Sequence, residues 1–214
     1  MIDWDISELF CPATALRNVV WPGSRSEWIN MSANKVRLEE IAIDIAQKHG
    51  TAGISFRKLA DEIGIKSSSV HHHYPEKADL IQTIIASYSE QFLVRLKEIE
   101  NRRGKLPSKL SQFIDLFDEV ASQEKFCLCG MMAAELGLLD ESSRQLLRKF
   151  FTDVEAWLES LLNTHQDELV NPKNTDVTAK NIMSGLEGAL LIDRVFGSMD
   201  RIKSQRKHIL GLAG

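Results

Sequence analysis

Histidine and cysteine side chains that stand close together in the sequence are the first candidates for metal or covalent chemistry. His71, His72 and His73 are consecutive, and Cys127 and Cys129 are two positions apart. Neighbouring residues of a helix point about 100° apart, so the three histidines cannot bind one metal ion in a tetrahedral arrangement. The two cysteines diverge by about 200°, which disfavours a shared ligand site and a local disulfide. We therefore predict no metal site and no cofactor.

The sequence also lacks the motifs of common enzyme classes. It contains no phosphate-binding loop, no His-Glu-x-x-His metalloprotease motif and no dinucleotide-binding fingerprint. We therefore predict that the protein is not an enzyme. A helical enzyme whose catalytic residues are assembled from distant positions remains the weakest alternative.

Residues 55–80 have the layout of a helix-turn-helix. Two short helices, at about 56–63 and 67–74, are joined by a turn at residues 64–66, and Gly64 stands where a tight helix end favours the left-handed conformation. The apolar positions that would form the shared inner face of the two helices are Leu59, Ile63, Ile65, Val70 and Tyr74.

Helical geometry assigns roles within the second helix. Measured from buried Val70, Ser68 lies at about 160° and His72 at about 200°, so both point outward and are candidates for contacts to base edges. His73 turns back towards the core. The residues placed for phosphate or edge contacts are Lys66, Ser67, Ser69 and His71.

The rest of the chain repeats the helical period of about 3.6 residues, with no convincing alternation of a strand, so the predicted fold class is all-α. Residues 31–80 are predicted as the DNA-binding domain and residues 81–214 as a second, helical domain. Residues 1–30 hold three of the four tryptophans and no sustained periodicity. They are predicted as an irregular extension, either poorly ordered or packing its tryptophans on the body.

Composition limits the class of protein further. The 214 residues carry a net charge of −4, with 43% hydrophobic and 26% charged residues, and no apolar run is long enough to span a membrane. The acidic start of the chain and three cysteines predict a reduced, cytoplasmic protein. Residues 31–80 contain seven basic and seven acidic side chains, which is less basic than most DNA-binding domains.

Residues 64–80 resemble the head of the tetracycline-repressor-like (TetR) family, which ends in a Gly-Val…Tyr-x-His-Phe-x-x-Lys-x-x-Leu pattern. The match here is Gly64 and Ile65, followed by His71-His72-His73-Tyr74-Pro75-Glu76-Lys77-Ala78-Asp79-Leu80. Residues 127–136 resemble the Gly-Cys-Leu…Ala-Ala-Glu segment of a large subgroup, and residues 187–191 resemble its motif in the penultimate helix. The resemblance covers roughly residues 35–210.

The resemblance implies a homodimer that binds double-stranded operator DNA and a small-molecule effector, with residues 81–214 as the effector-binding and dimerisation domain. It assigns a phosphate contact to Lys77, whereas His71 departs from the tyrosine that the family usually carries there. Residues that would line an effector cavity, or else fill the core, are Phe113, Phe117, Cys127, Met131, Glu135, Phe151 and Trp157. The last two helices, at about 176–197 and 200–211, would form the dimer interface through Met183, Leu186, Ala189 and Leu190.

Two of these residues have competing interpretations. Glu135 would either orient an effector or pair with Arg148 or Lys149. Cys127 would either be an inert core residue or, at a helix start and near Lys125, have a lowered pKa and sense reactive compounds.

Taken together, the predicted function is an effector-responsive transcriptional regulator, specifically a repressor, that binds no membrane. The alternative is a helical sensor or interaction protein without useful DNA affinity, which the balanced charge of the head favours.

Overall fold

The computed structural model describes residues 25–213, with side chains from residue 33 onward, and this part of the chain is helical almost throughout. Its β pairing within that range is limited to one isolated bridge, between Leu169 and Ala213. The all-α prediction is confirmed. The helices are α1 (Arg25–Gly53), α2 (Phe56–Ile63), α3 (Ser67–His73), α4 (Lys77–Asn101), α5 (Leu106–Ser122), α6 (Leu128–Ala134), α7 (Glu141–Thr164), α8 (Thr175–Phe196) and α9 (Asp200–Leu210).

The first predicted boundary does not coincide with a helix end. Residues 1–24, most of the predicted irregular extension, lie outside the described residues, but α1 already begins at Arg25. The second boundary, at residue 80, falls inside α4, so one continuous helix runs from the head into the body.

Aromatic rings from three long helices form the centre of the body. Phe92 of α4 packs edge-on against Phe113 and Phe117 of α5 and against Phe150 of α7, with ring centroids 6.5, 6.3 and 5.3 Å apart. Such edge-to-face packing adds to the burial of apolar area, so this cluster joins α4, α5 and α7 firmly.

The corner between α8 and α9 is built around a buried carboxylate. Asp193 accepts hydrogen bonds from the backbone N–H groups of Arg201 and Ile202, at 2.9 and 3.0 Å, and from the hydroxyl of Ser198. Its pKa is lowered, because these bonds and the Arg201 guanidinium outweigh the burial that would raise it. The carboxylate thereby satisfies the free amides at the start of α9.

Candidate nucleic-acid interface and effector site

The α2–turn–α3 unit has the geometry that the sequence predicts. Gly64 ends α2 with φ 73°, and Leu59, Val70 and Tyr74 are buried on the shared inner face, while Ile63 and Ile65 are half-buried. The Tyr74 hydroxyl donates to the Glu39 carboxylate of α1, and burial together with this carboxylate raises the tyrosine pKa. The end of α3 is therefore fixed to α1.

The outer face of α3 is free to meet a partner. Ser68 and His72 are exposed, as are Lys66 and His71, while Ser67 and Ser69 are half-buried. His73 is half-buried next to Tyr74, and burial, with help from the charges of His72 and Lys35, lowers its pKa. The polar side chains predicted for DNA contact therefore share one side of α3.

Two of the predicted contact residues also make contacts within the protein. The ring of His71 packs edge-on against Phe56 of α2, with centroids 4.9 Å apart, which fixes the orientation of its imidazole. The Lys77 ammonium, at the start of α4, donates a hydrogen bond to the carbonyl of Thr51. An exposed ammonium has two further N–H donors, so the predicted phosphate contact is still compatible with this bond.

The head is attached to the body through the end of α1 and the start of α6. Gln47 and Phe126 exchange two hydrogen bonds of 3.0 Å, one through the Gln47 side chain and one through its carbonyl. Lys125 forms an ion pair of 2.9 Å with Asp44, and Arg194 of α8 donates to the carbonyl of Lys48. These contacts join segments about 80 residues or more apart in the chain and were not predicted from the sequence.

Glu135 also connects the head to the body, and its predicted pairing with Arg148 or Lys149 is wrong. Its carboxylate accepts a hydrogen bond of 2.7 Å from the backbone N–H of Thr51, where α1 bends. Gly50 provides that bend with φ 66°, and a Cβ there would collide with a carboxylate oxygen of Glu135. Arg148 and Lys149 pair instead with Glu141 and Asp153, so Glu135 connects α6 to the head.

The aromatic residues predicted for an effector site are brought together only in part. Phe113 and Phe117 are fully buried in the core, and the Trp157 ring lies 5.6 Å from that of Phe113. Met131 and Phe151 are half-buried against the same core. The indole N–H of Trp157 is buried without a hydrogen-bond partner, which is unusual for a donor inside a protein.

The predicted acidity of Cys127 is wrong. The residue does precede α6, but its thiol is buried, and burial, with the nearby Glu187 carboxyl, raises its pKa well above the usual value. Lys125, expected to favour the thiolate, instead pairs with Asp44. Cys129 is also buried and its pKa is also raised, and neither cysteine forms a disulfide. Burial thus disfavours the thiolate form of both residues at neutral pH.

Sequence reasoning missed the most unusual polar group of the body, the carboxyl group of Glu187 on α8. Both of its oxygens are buried, and within the described residues neither has an N–H or O–H hydrogen-bond partner. Burial raises its pKa to about 7, although the Cys127 thiol acts in the opposite direction. The signal in the sequence was an acidic residue inside the apolar stripe of residues 182–190.

The residues predicted for the dimer interface are on the wrong side of α8. Met183, Leu186, Ala189 and Leu190 are buried within the protomer, with at most 5% of each exposed, so they have no free surface for a partner. The opposite face of α8 carries exposed apolar side chains at helical spacing, namely Leu191, Ile192, Val195 and Phe196. Residue 195 is the most exposed, at 80%.

Two kinds of feature are absent from the part of the chain that the structure describes. None of its helices is long and apolar enough to cross a bilayer. Residues 33–213, whose side chains are described, also contain no group of three or more histidine, cysteine or acidic side chains arranged to bind a metal ion.

Comparison with known proteins places this geometry among bacterial regulators. Residues 40–84, which include α2 and α3, match the model for bacterial regulatory proteins of the tetR family. An HTH-type transcriptional regulator from Staphylococcus aureus is 31% identical over 68 residues, which is 32% of this chain and 37% of that relative. The chain thus matches little more than a third of the length of its curated relatives.

Solved structures extend the match to most of the chain. The crystal structure of a TetR transcriptional regulator from Legionella pneumophila has a TM-score of 0.76 and 30% identity, covering 82% of this chain and 94% of that one. A transcriptional regulator from Agrobacterium tumefaciens superposes with a TM-score of 0.81 over 86% of this chain and 100% of its own. At 22% identity, the second likeness concerns the fold alone.

Proposed function

The chain belongs to the TetR family of bacterial regulatory proteins, and we propose that it is a homodimeric, cytoplasmic repressor that an effector releases from operator DNA. One observation carries the proposal. Ser68 and His72 are exposed on the outer face of α3, while Val70 on its inner face is buried against α2. That arrangement presents polar side chains at the spacing that a recognition helix needs in the major groove.

Each predicted contact residue has a distinct task in this proposal. Ser68 and His72 read base edges, because they point away from the head. Lys66 and Lys77 neutralise phosphates at either end of α3, and Ser67, Ser69 and His71 fix the helix in the groove. In a dimer, the two recognition helices enter successive major grooves about 34 Å apart.

Release of the DNA follows from the way the head is attached. The continuous helix α4 and the contacts of α1 with α6 make the orientation of the head depend on the packing of the body. An effector that binds better to a body with the wrong head spacing shifts the population away from the DNA-binding form.

Selection of bound sites from random duplexes by the purified protein tests the proposal. We expect enrichment of a palindromic site with half-sites about 10 base pairs apart, and affinity that decreases steeply as salt increases. Failure to enrich any sequence would contradict the proposal.

A second candidate function rests on the balanced charge of the head, with seven basic and seven acidic residues among positions 31–80. In that case the protein is a helical sensor or interaction protein without useful DNA affinity. Salt-dependent binding of a selected duplex distinguishes the two, because only the repressor requires it.

A further inference from the structure

The carboxyl group of Glu187 lies a short distance beneath the surface of the body. The residue as a whole is half-buried, since part of it is accessible on α8, but both carboxyl oxygens turn inward and are buried. They point at α6, where a Cβ added to Gly130 would collide with Oε2. The missing side chain at residue 130 is what allows the carboxyl group to approach this helix.

The groups around this carboxyl are aromatic rings and sulfur. The same hypothetical Cβ on Gly130 would lie 2.7 Å from the ring of Phe126, so the Phe126 ring and the Glu187 carboxyl both lie next to residue 130. Cys127 is adjacent in the chain, and the Tyr88 hydroxyl lies 3.8 Å from its sulfur. The Cys127 thiol acts on this carboxyl as a weak donor, and within the described residues no basic side chain pairs with either oxygen.

A buried acid without a charged partner costs folding free energy. The missing charge defines what would compensate it. A positive charge with N–H donors would neutralise the carboxylate and donate hydrogen bonds to its oxygens.

We propose that Glu187 recognises the effector of this protein, and that the effector is an organic cation with an ammonium or amidinium group on an apolar body. This inference rests on the proposed function, since it identifies the class of molecule that releases the DNA.

The position of Glu187 links the binding of a cation to the head. The carboxyl group contacts α6 at Gly130, and the segment around this helix is held to α1 at both ends. Phe126 is bonded to Gln47, and Glu135 is bonded to Thr51. A cation inserted between Glu187 and α6 displaces this helix, and α6 carries the displacement to the head.

Protonation of Glu187 competes with the cation, which gives the site a characteristic pH dependence. Its pKa of about 7 means that the charged form is a minority at pH 6 and the majority at pH 8. The titratable groups that face it are Tyr88 of α4 and the thiols of Cys127 and Cys129, and their raised pKa values keep them neutral over this range. Affinity for a cation therefore rises about tenfold from pH 6 to pH 8.

Calorimetry with benzamidine, and with benzamide as its neutral isostere, tests the proposal. We expect the wild type to bind benzamidine more tightly than benzamide, with the pH dependence given above. Glu187→Gln should lose at least tenfold in benzamidine affinity together with the pH dependence. The matched control Glu90→Gln, which changes an exposed glutamate of α4, should behave as the wild type. Equal binding of benzamidine by wild type and Glu187→Gln, or no saturable binding by the wild type, would overturn the proposal.

The melting temperature of the free protein provides a second readout that needs no ligand. Glu187→Met should raise it at pH 8, because the variant removes an uncompensated buried charge. A lower melting temperature would mean that the carboxyl group has a structural partner, and would contradict the proposal. Operator binding is measured separately on the same variants, so an absence of DNA binding by the wild type would contradict the repressor function without affecting either readout.

Discussion

At the scale of single residues, specificity for DNA is expected to lie in two side chains of α3 and affinity in the charges beside them. His72 is exposed and faces outward, whereas Lys66 stands exposed at the start of the helix. Base contacts and phosphate contacts have different signatures in a binding experiment.

His72→Ala should change which operator sequences are preferred, because its side chain no longer reaches a base edge. Lys66→Ala should weaken binding to all sequences alike and reduce the salt slope of the dimer by about 2, because each of the two protomers then neutralises one phosphate fewer. Competition binding with a set of single-base operator variants, repeated at several salt concentrations, measures both effects. Unchanged preferences in His72→Ala would contradict the assignment of α3.

The thiol of Cys127 gives a second prediction at this scale. Burial raises its pKa, so the thiolate appears only at a pH above that of an ordinary cysteine, and reactivity stays low from pH 6 to pH 9. Alkylation by iodoacetamide at pH 8 should be at least about 100-fold slower than for an exposed cysteine. Peptide mass spectrometry measures the rate, and unfolding in urea, the control, should restore it. Fast labelling of the folded protein would instead support a sensing role.

At the scale of elements, two glycines with positive φ differ in their tertiary contacts, so alanine substitutions at them should differ in their cost to stability. Gly64, with φ 73°, has no atom within 4 Å of the position of a Cβ, whereas a Cβ on Gly50 would collide with Glu135. Gly64→Ala should therefore cost about 1 kcal/mol, which is the strain of a left-handed alanine.

Gly50→Ala should cost more than Gly64→Ala for two reasons. It displaces Glu135 and breaks the hydrogen bond to Thr51, which adds about 1 kcal/mol, and it places an alanine at φ 66° and ψ −166°, a conformation that essentially only glycine adopts. Urea unfolding measures both costs. When Glu135→Ala is already present, the cost of Gly50→Ala should fall by about 1 kcal/mol, since the collision has been removed and only the backbone strain remains. A cost that does not depend on residue 135 would mean that the contact does not hold the bend of α1.

At the scale of the whole molecule, the exposed apolar face of α8 is the surface expected to join two protomers. Leu191, Ile192, Val195 and Phe196 lie on one side of the helix, and Arg201 covers part of the Phe196 ring at 4.2 Å. Single exposed apolar residues are common, but four on one helical face favour an interface.

Val195→Arg should produce monomers, because it places a charge in the middle of that face. Operator affinity should then decrease by about 100-fold, since the second head no longer binds with the first. Sedimentation velocity and operator binding check the two effects. Val94→Arg, at a residue of α4 that is 49% exposed, is the matched control and should remain dimeric. A Val195→Arg protein that sediments as a dimer would place the interface elsewhere.

The sequence by itself determined the helical class, the bounds of α2 and α3, and the outward direction of Ser68 and His72. These features depend on interactions between residues at most a few turns apart, such as helical periodicity and the left-handed end at Gly64. Local geometry was therefore sufficient to predict them.

Only the tertiary structure decided which groups meet across the chain. It placed Glu135 on Thr51, buried the thiol of Cys127, and left the Glu187 carboxyl without a charged partner. It also decided which side of α8 is free, because α8 has apolar residues on two sides and the position of the core selects the one that is buried. Partners, burial and pKa values depend on segments far apart in sequence, so no local pattern contains them.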